Sequence, residues 1–65
     1  MTEIHLVMMR YTLDGSPLDE AEDYSEMVRG VFADKDKAQI VADELEGVYG
    51  GSDSTYFVHT RSVIL

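Results

Sequence analysis

One helical pattern lies in the middle of this chain, with strand-like runs on both sides of it. In ADKDKAQIVADELEG, Ala38, Val41, Ala42 and Leu45 recur at i, i+3, i+4 and i+7. That spacing draws a single apolar stripe along a helix. Asp34 stands where an N-cap belongs and Gly47 where a C′ glycine closes a helix. The spacing therefore predicts a helix over 35–46. A helix with one stripe needs one apolar surface to lie on, and the flanking segments must supply it.

Three runs can do so. Residues 4–12, IHLVMMRYT, are β-branched and aromatic and too short for a stable helix. Alternation puts Ile4, Leu6 and Met8 on one face and His5, Val7, Met9 and Tyr11 on the other. Residues 26–33, EMVRGVFA, read as a second strand with Val28 and Phe32 on one face. Gly30 between them marks a bulge or a close approach. Residues 55–65, TYFVHTRSVIL, read as the last strand, with Tyr56, Val58 and Ile64 on one face and Phe57, His59, Arg61 and Val63 on the other.

The element order is β-β-α-β. A strand–helix–strand crossover makes its two strands parallel. The simplest arrangement is then an α+β fold: a three-stranded antiparallel sheet in the order 2-1-3, with the helix across one face. Sixty-five residues make one domain, 1–65. A chain this size buries only about 60% of its unfolded surface, and its core supplies only ~3–5 kcal/mol. There is no cysteine to add a disulfide. Both faces of the first and last strands are largely apolar, whereas one helix covers one face. The bare face points to association, and a homodimeric regulatory or structural module is one expectation.

This topology also decides where charge collects. The chain holds thirteen Asp and Glu against five Lys and Arg, a net charge of −8. LDGSPLDEAEDYSE, residues 13–26, carries six acids and no base. Ser16 as N-cap and Pro17 at the first helical position would begin a short helical turn over about 17–22. With the first strand running upward, this loop, the helix end and loop 47–54 all lie at the top. Asp14, Asp19, Glu20, Glu22, Asp23, Glu26, Asp43, Glu44, Glu46 and Asp53 then share one end with only Arg10 among the bases. Apart from Asp34 and Asp36 at the start, the helix charges oppose the dipole: Lys35 and Lys37 open it, and Asp43, Glu44 and Glu46 close it. Such opposition to local stability is characteristic of functional surfaces. The ten acids are the candidate partner-binding residues.

Other chemistry finds little footing. His5 and His59 lie on neighbouring strands, but a closed zinc site needs four ligands at recognisable spacings, and no nucleophile–base set accompanies them. The acidic loop lacks the order of an EF-hand. The glycines of 47–54 follow a helix, whereas a phosphate loop precedes one. The balance of charge opposes binding to nucleic acid or anionic membrane. No run approaches the ~20 apolar residues of a membrane span, and the N-terminus lacks a signal-peptide pattern. The expectation is a non-enzymatic cytoplasmic protein with no cofactor and no catalytic residue.

Residues 30–45, GVFADKDKAQIVADEL, resemble the strand–turn–helix of short ββαβ proteins of phages and mobile elements, of a G-V-F, four residues, K-A, helix type. The resemblance covers about a quarter of the chain, or most of it if element order counts. It implies a protein that binds and blocks a host protein, as anti-CRISPR inhibitors do when they present acidic, DNA-mimicking surfaces to nucleic-acid-binding clefts. It implies no catalytic residue. The expected partner is a host protein or nucleoprotein complex with a basic surface, met in the host cytoplasm.

Overall fold

A computed structural model of the chain describes residues 2–64. Strand β1 (Thr2–Tyr11) is followed by β2 (Ser25–Phe32), helix α1 (Lys35–Tyr49) and β3 (Ser54–Val63). The sheet order is β2-β1-β3, with β1 antiparallel to both neighbours. The expected α+β architecture is present. The strands begin and end within two residues of the expected limits, and the last expected residue, Leu65, lies outside the described ones.

Register explains which residues the helix covers. Val7 pairs with Gly30 on one side and Val58 on the other, and this row faces α1. Val7 is fully buried against Ala38 and Ala42, with Phe32, Val41, Leu45 and Val58 packed around them. Small residues on the helix stripe let it approach the sheet closely. Burying a side chain such as Val7 contributes about 1.5–3 kcal/mol. Among the described residues the fully enclosed core is Val7, Ala38 and Ala42, with Tyr56 9% exposed at its margin.

The bulge anticipated at Gly30 exists, and it corrects the face assigned to Val28. Val7 pairs with Gly30 but Met8 pairs with Val28, so Arg29 is the extra residue in β2. One inserted residue inverts the alternation. Phe32 therefore packs towards the helix while Val28 points to the opposite face. Gly30 also meets the close approach expected of it: a Cβ there would stand 2.9 Å from Phe32 Cε2.

The helix ends later than expected. Asp34 is the N-cap, its Oδ1 accepting from the N–H of Asp36 at 2.9 Å and of Lys37 at 3.4 Å. Gly47 does not close α1, which continues to Tyr49. Gly50 is the C-cap and donates its N–H to the Glu46 carbonyl at 2.9 Å. The helical turn expected over 17–22 shrinks to one turn at Leu18–Glu20, closed by Glu20 N–H donating to the Pro17 carbonyl at 3.0 Å. Ser16 is not its N-cap. Its own N–H donates to Asp14 Oδ1 at 3.0 Å, and its carbonyl accepts from Thr12 Oγ1 at 2.7 Å.

Candidate functional site

The long β1–β2 loop and the short α1–β3 loop meet at one end of the sheet. Thr12 N–H donates to the Asp53 carbonyl at 3.1 Å, and Leu18 N–H to the Ser52 carbonyl at 2.7 Å. These two backbone bonds join segments far apart in sequence, and they bring Asp53 and Ser52 against the β1–β2 loop that carries Asp14, Asp19, Glu20, Glu22 and Asp23. All six carboxylates are exposed. The loop encloses an open concavity lined by Asp14, Glu20, Glu22, Asp23, Leu13 and Tyr24. Asp14 has a structural share in this end: the backbone N–H of Ser16, then its hydroxyl, hold the Asp14 carboxyl below its ordinary range.

The remaining four acids are placed differently. Glu26 forms an ion pair with Arg10, Nη2 to Oε2 at 2.8 Å, and accepts from Arg10 Nε at the same distance. Arg10 also stacks near Tyr24 and Phe57, 4.7 Å and 5.0 Å from their ring centroids. Among the described residues this is the one ion pair, and both partners are more than a third exposed, so it is worth ~1 kcal/mol at most. Asp43 and Glu44 stand exposed on the flank of α1, Asp43 accepting from Gln39 Nε2 at 3.0 Å. Because the helix runs on to Tyr49, Asp43 lies about 9 Å below its upper end. The three acids expected to close the helix therefore reduce to one in its last turn, and the opposition to the dipole falls on Glu46.

Glu46 has a purpose within the fold that the sequence pattern did not disclose. Its Oε2 accepts the backbone N–H of Tyr56 at 2.7 Å. Tyr56 lies on the edge strand β3, so the carboxylate satisfies a donor that no neighbouring strand can. Gly50 makes room for this reach, since a Cβ there would fall 2.6 Å from Glu46 Oε1 and collide with its carbonyl. The glycine after the helix was the available sequence signal.

The two histidines do not converge. His5 pairs with Thr60, and Leu6 with His59, which places the rings on opposite faces of the sheet. His5 is buried on the helix side, Nδ1 2.9 Å from Thr60 Oγ1, and His59 is exposed. Among the described residues no three His, Cys, Asp or Glu side chains are arranged to hold a metal ion.

The face of the sheet away from α1 is open. It carries Ile4, Leu6 and Met8 from β1, Val28 and Val31 from β2, and Phe57, His59 and Val63 from β3. Val28 is 50% and Val31 58% exposed. Its charges are Arg10 with Glu26 at one end and Arg61 towards the other.

No protein-family model matches the chain, and neither the curated proteins nor the solved structures contain a significant match. Among the described residues no helix is long and apolar enough to cross a membrane.

Proposed function

We propose that this chain is a small non-enzymatic inhibitor that uses its acidic end to occupy a basic, nucleic-acid-binding surface on another protein. The observation that carries this reading is that Asp14, Asp19, Glu20, Glu22 and Asp23 of one loop and Asp53 of the other, the two loops joined by backbone hydrogen bonds, are all exposed at one end. Arg10 is the nearby base, and Glu26 already takes it. A cluster left without counter-charges attracts a basic surface from a distance and repels nucleic acid. Asp43 and Glu44, exposed on the flank of the helix, extend the acidic surface. Glu26 and Glu46 lie beside it and serve the fold. The resemblance of residues 30–45 to phage ββαβ proteins supports a phage-encoded, anti-defence setting in the host cytoplasm.

The test is a quadruple reversal, Asp19→Lys, Glu20→Lys, Asp23→Lys and Glu44→Lys, which spares the structural acids Asp14, Glu26 and Glu46. A candidate nucleoprotein partner is captured with each form at low and high salt. The expected result is capture by the natural sequence that weakens steeply with salt, and loss of capture by the reversed form. Retention by the reversed form would refute the reading.

A further inference from the structure

The broad shape of the molecule is wrong for a protein of its mass standing alone. Its Cα radius of gyration is 12.9 Å, against about 10.7 Å for a compact domain of this length. It exposes 4680 Å², against about 4,200 Å² for a folded monomer of this mass. The surplus is roughly 500 Å². That is close to the footprint of a three-stranded sheet face, about 33 Å along the strands and about 14 Å across. The helix side has its core, and the opposite side is the unspent apolar surface.

Charge selects what covers it. Of thirteen acids, the open face holds only Glu26, and Arg10 neutralises it. The acidic end of one −8 molecule repels that of another. On the open face a second copy meets apolar side chains without excess negative charge. Two copies would bury roughly 1,000 Å² in total, the lower bound for a specific interface. A foreign partner would need no such neutrality from a protein otherwise so acidic.

We propose that the open sheet face is a homodimer interface, in which two copies stack sheet on sheet, head to tail, about a two-fold axis lying between them and running across the strands. The alternative axis, parallel to the strands, would bring both acidic ends side by side. The head-to-tail arrangement separates them and sets each beside the other copy's opposite end, where Lys35, Lys37 and Arg61 offset Glu3, Asp34 and Asp36. The axis passes near the level of Val7, midway between Ile4 and Arg10. It brings Leu6 over Met8 of the second copy and Val31 over Val28, sealing the bulge. This proposal is independent of the inhibitor reading. If both hold, the dimer presents two acidic surfaces at opposite ends.

Sedimentation equilibrium of the full chain across a dilution series from micromolar to millimolar tests the interface. The expected result is twice the monomer mass at high concentration. Val28→Glu and Val31→Glu, both at half-exposed positions, are expected to abolish the dimer while leaving far-UV circular dichroism unchanged. Ile40→Glu, on the outer side of α1 and 57% exposed, is expected to leave it intact. A natural sequence that stays monomeric throughout, or a dimer that survives both β2 variants, would overturn the proposal. Single cysteines test the axis without relying on the glutamate variants folding, because the chain has no cysteine of its own. Val28→Cys is expected to be joined by a bismaleimide of about 10 Å span, the two sites being offset by about 7 Å along the strands across a gap of about 10 Å between the sheets, too far for a direct disulfide. Thr55→Cys is expected not to be, since the axis carries it about 20 Å from its equivalent. The reverse pattern would rule out the head-to-tail dimer.

Discussion

Glu46→Ala separates an acid that holds the fold from acids that only decorate it. The carboxylate accepts the Tyr56 N–H at 2.7 Å, a hydrogen bond to a charged group, and such bonds contribute about 1.5–3 kcal/mol. Glu46 is itself exposed, so water competes and the lower end, about 1.5 kcal/mol, applies. Removing an acid from the last turn of a helix returns about 0.3–1 kcal/mol, because the carboxylate opposed the dipole. The net expected loss is about 1 kcal/mol, which lowers the midpoint of thermal unfolding by about 4–8 °C in a domain this small. Glu44→Ala, exposed and without a backbone partner, is the comparator and should stay within about 0.5 kcal/mol of the natural sequence. The assay is thermal and urea unfolding followed by circular dichroism, at a fixed protein concentration so that any association contributes equally. Gly50→Ala should also destabilise, because its Cβ meets both the Glu46 backbone carbonyl and the same carboxylate. If Glu46→Ala matches Glu44→Ala, the carboxylate bridge from helix to edge strand does not support the fold.

Further outcomes follow from single contacts. Val7→Ala truncates the largest side chain that is fully enclosed among the described residues and should cost about 2–3 kcal/mol, most of the stability of such a domain; urea unfolding measures it. Asp34→Ala deletes the cap that accepts from Asp36 and Lys37 and should cost about 1 kcal/mol, whereas Asp34→Ser should largely preserve stability. Asp14 has its carboxyl lowered by the Ser16 N–H. Its contribution is therefore present above the unfolded-state carboxyl pKa and lost as pH falls through the lower folded value. Asp14→Asn should destabilise at neutral pH and become indistinguishable from the natural sequence in acid below the carboxyl range, as pH-dependent unfolding curves can establish.

The local features of this fold are written in short windows of the chain. The stripe Ala38, Val41, Ala42, Leu45 specifies a helix because residues four apart are neighbours on its surface. The cap Asp34 specifies its start because the side chain reaches N–H groups two and three residues on. The β-branched and aromatic content of the short run 4–12 specifies a strand, and the order β-β-α-β leaves one simple sheet. That order places the two loops at one end, whereas the interloop hydrogen bonds join them and the longer helix carries Asp43 and Glu44 away onto its flank. Tertiary structure decided what depends on register and on distant partners. The inserted residue Arg29 inverts β2, so Val28 joins the open face although its spacing from Phe32 argues otherwise. His5 and His59 are neighbours by strand order yet lie on opposite faces, because the register pairs His5 with Thr60. Gly47 has the right residue type to end a helix, but the helix ends where Gly50 lets Glu46 reach Tyr56, ten residues further along the chain. Side-chain periodicity is a property of neighbours in sequence. Register, bulges and the reach of a carboxylate to an edge strand are settled only when distant segments pack.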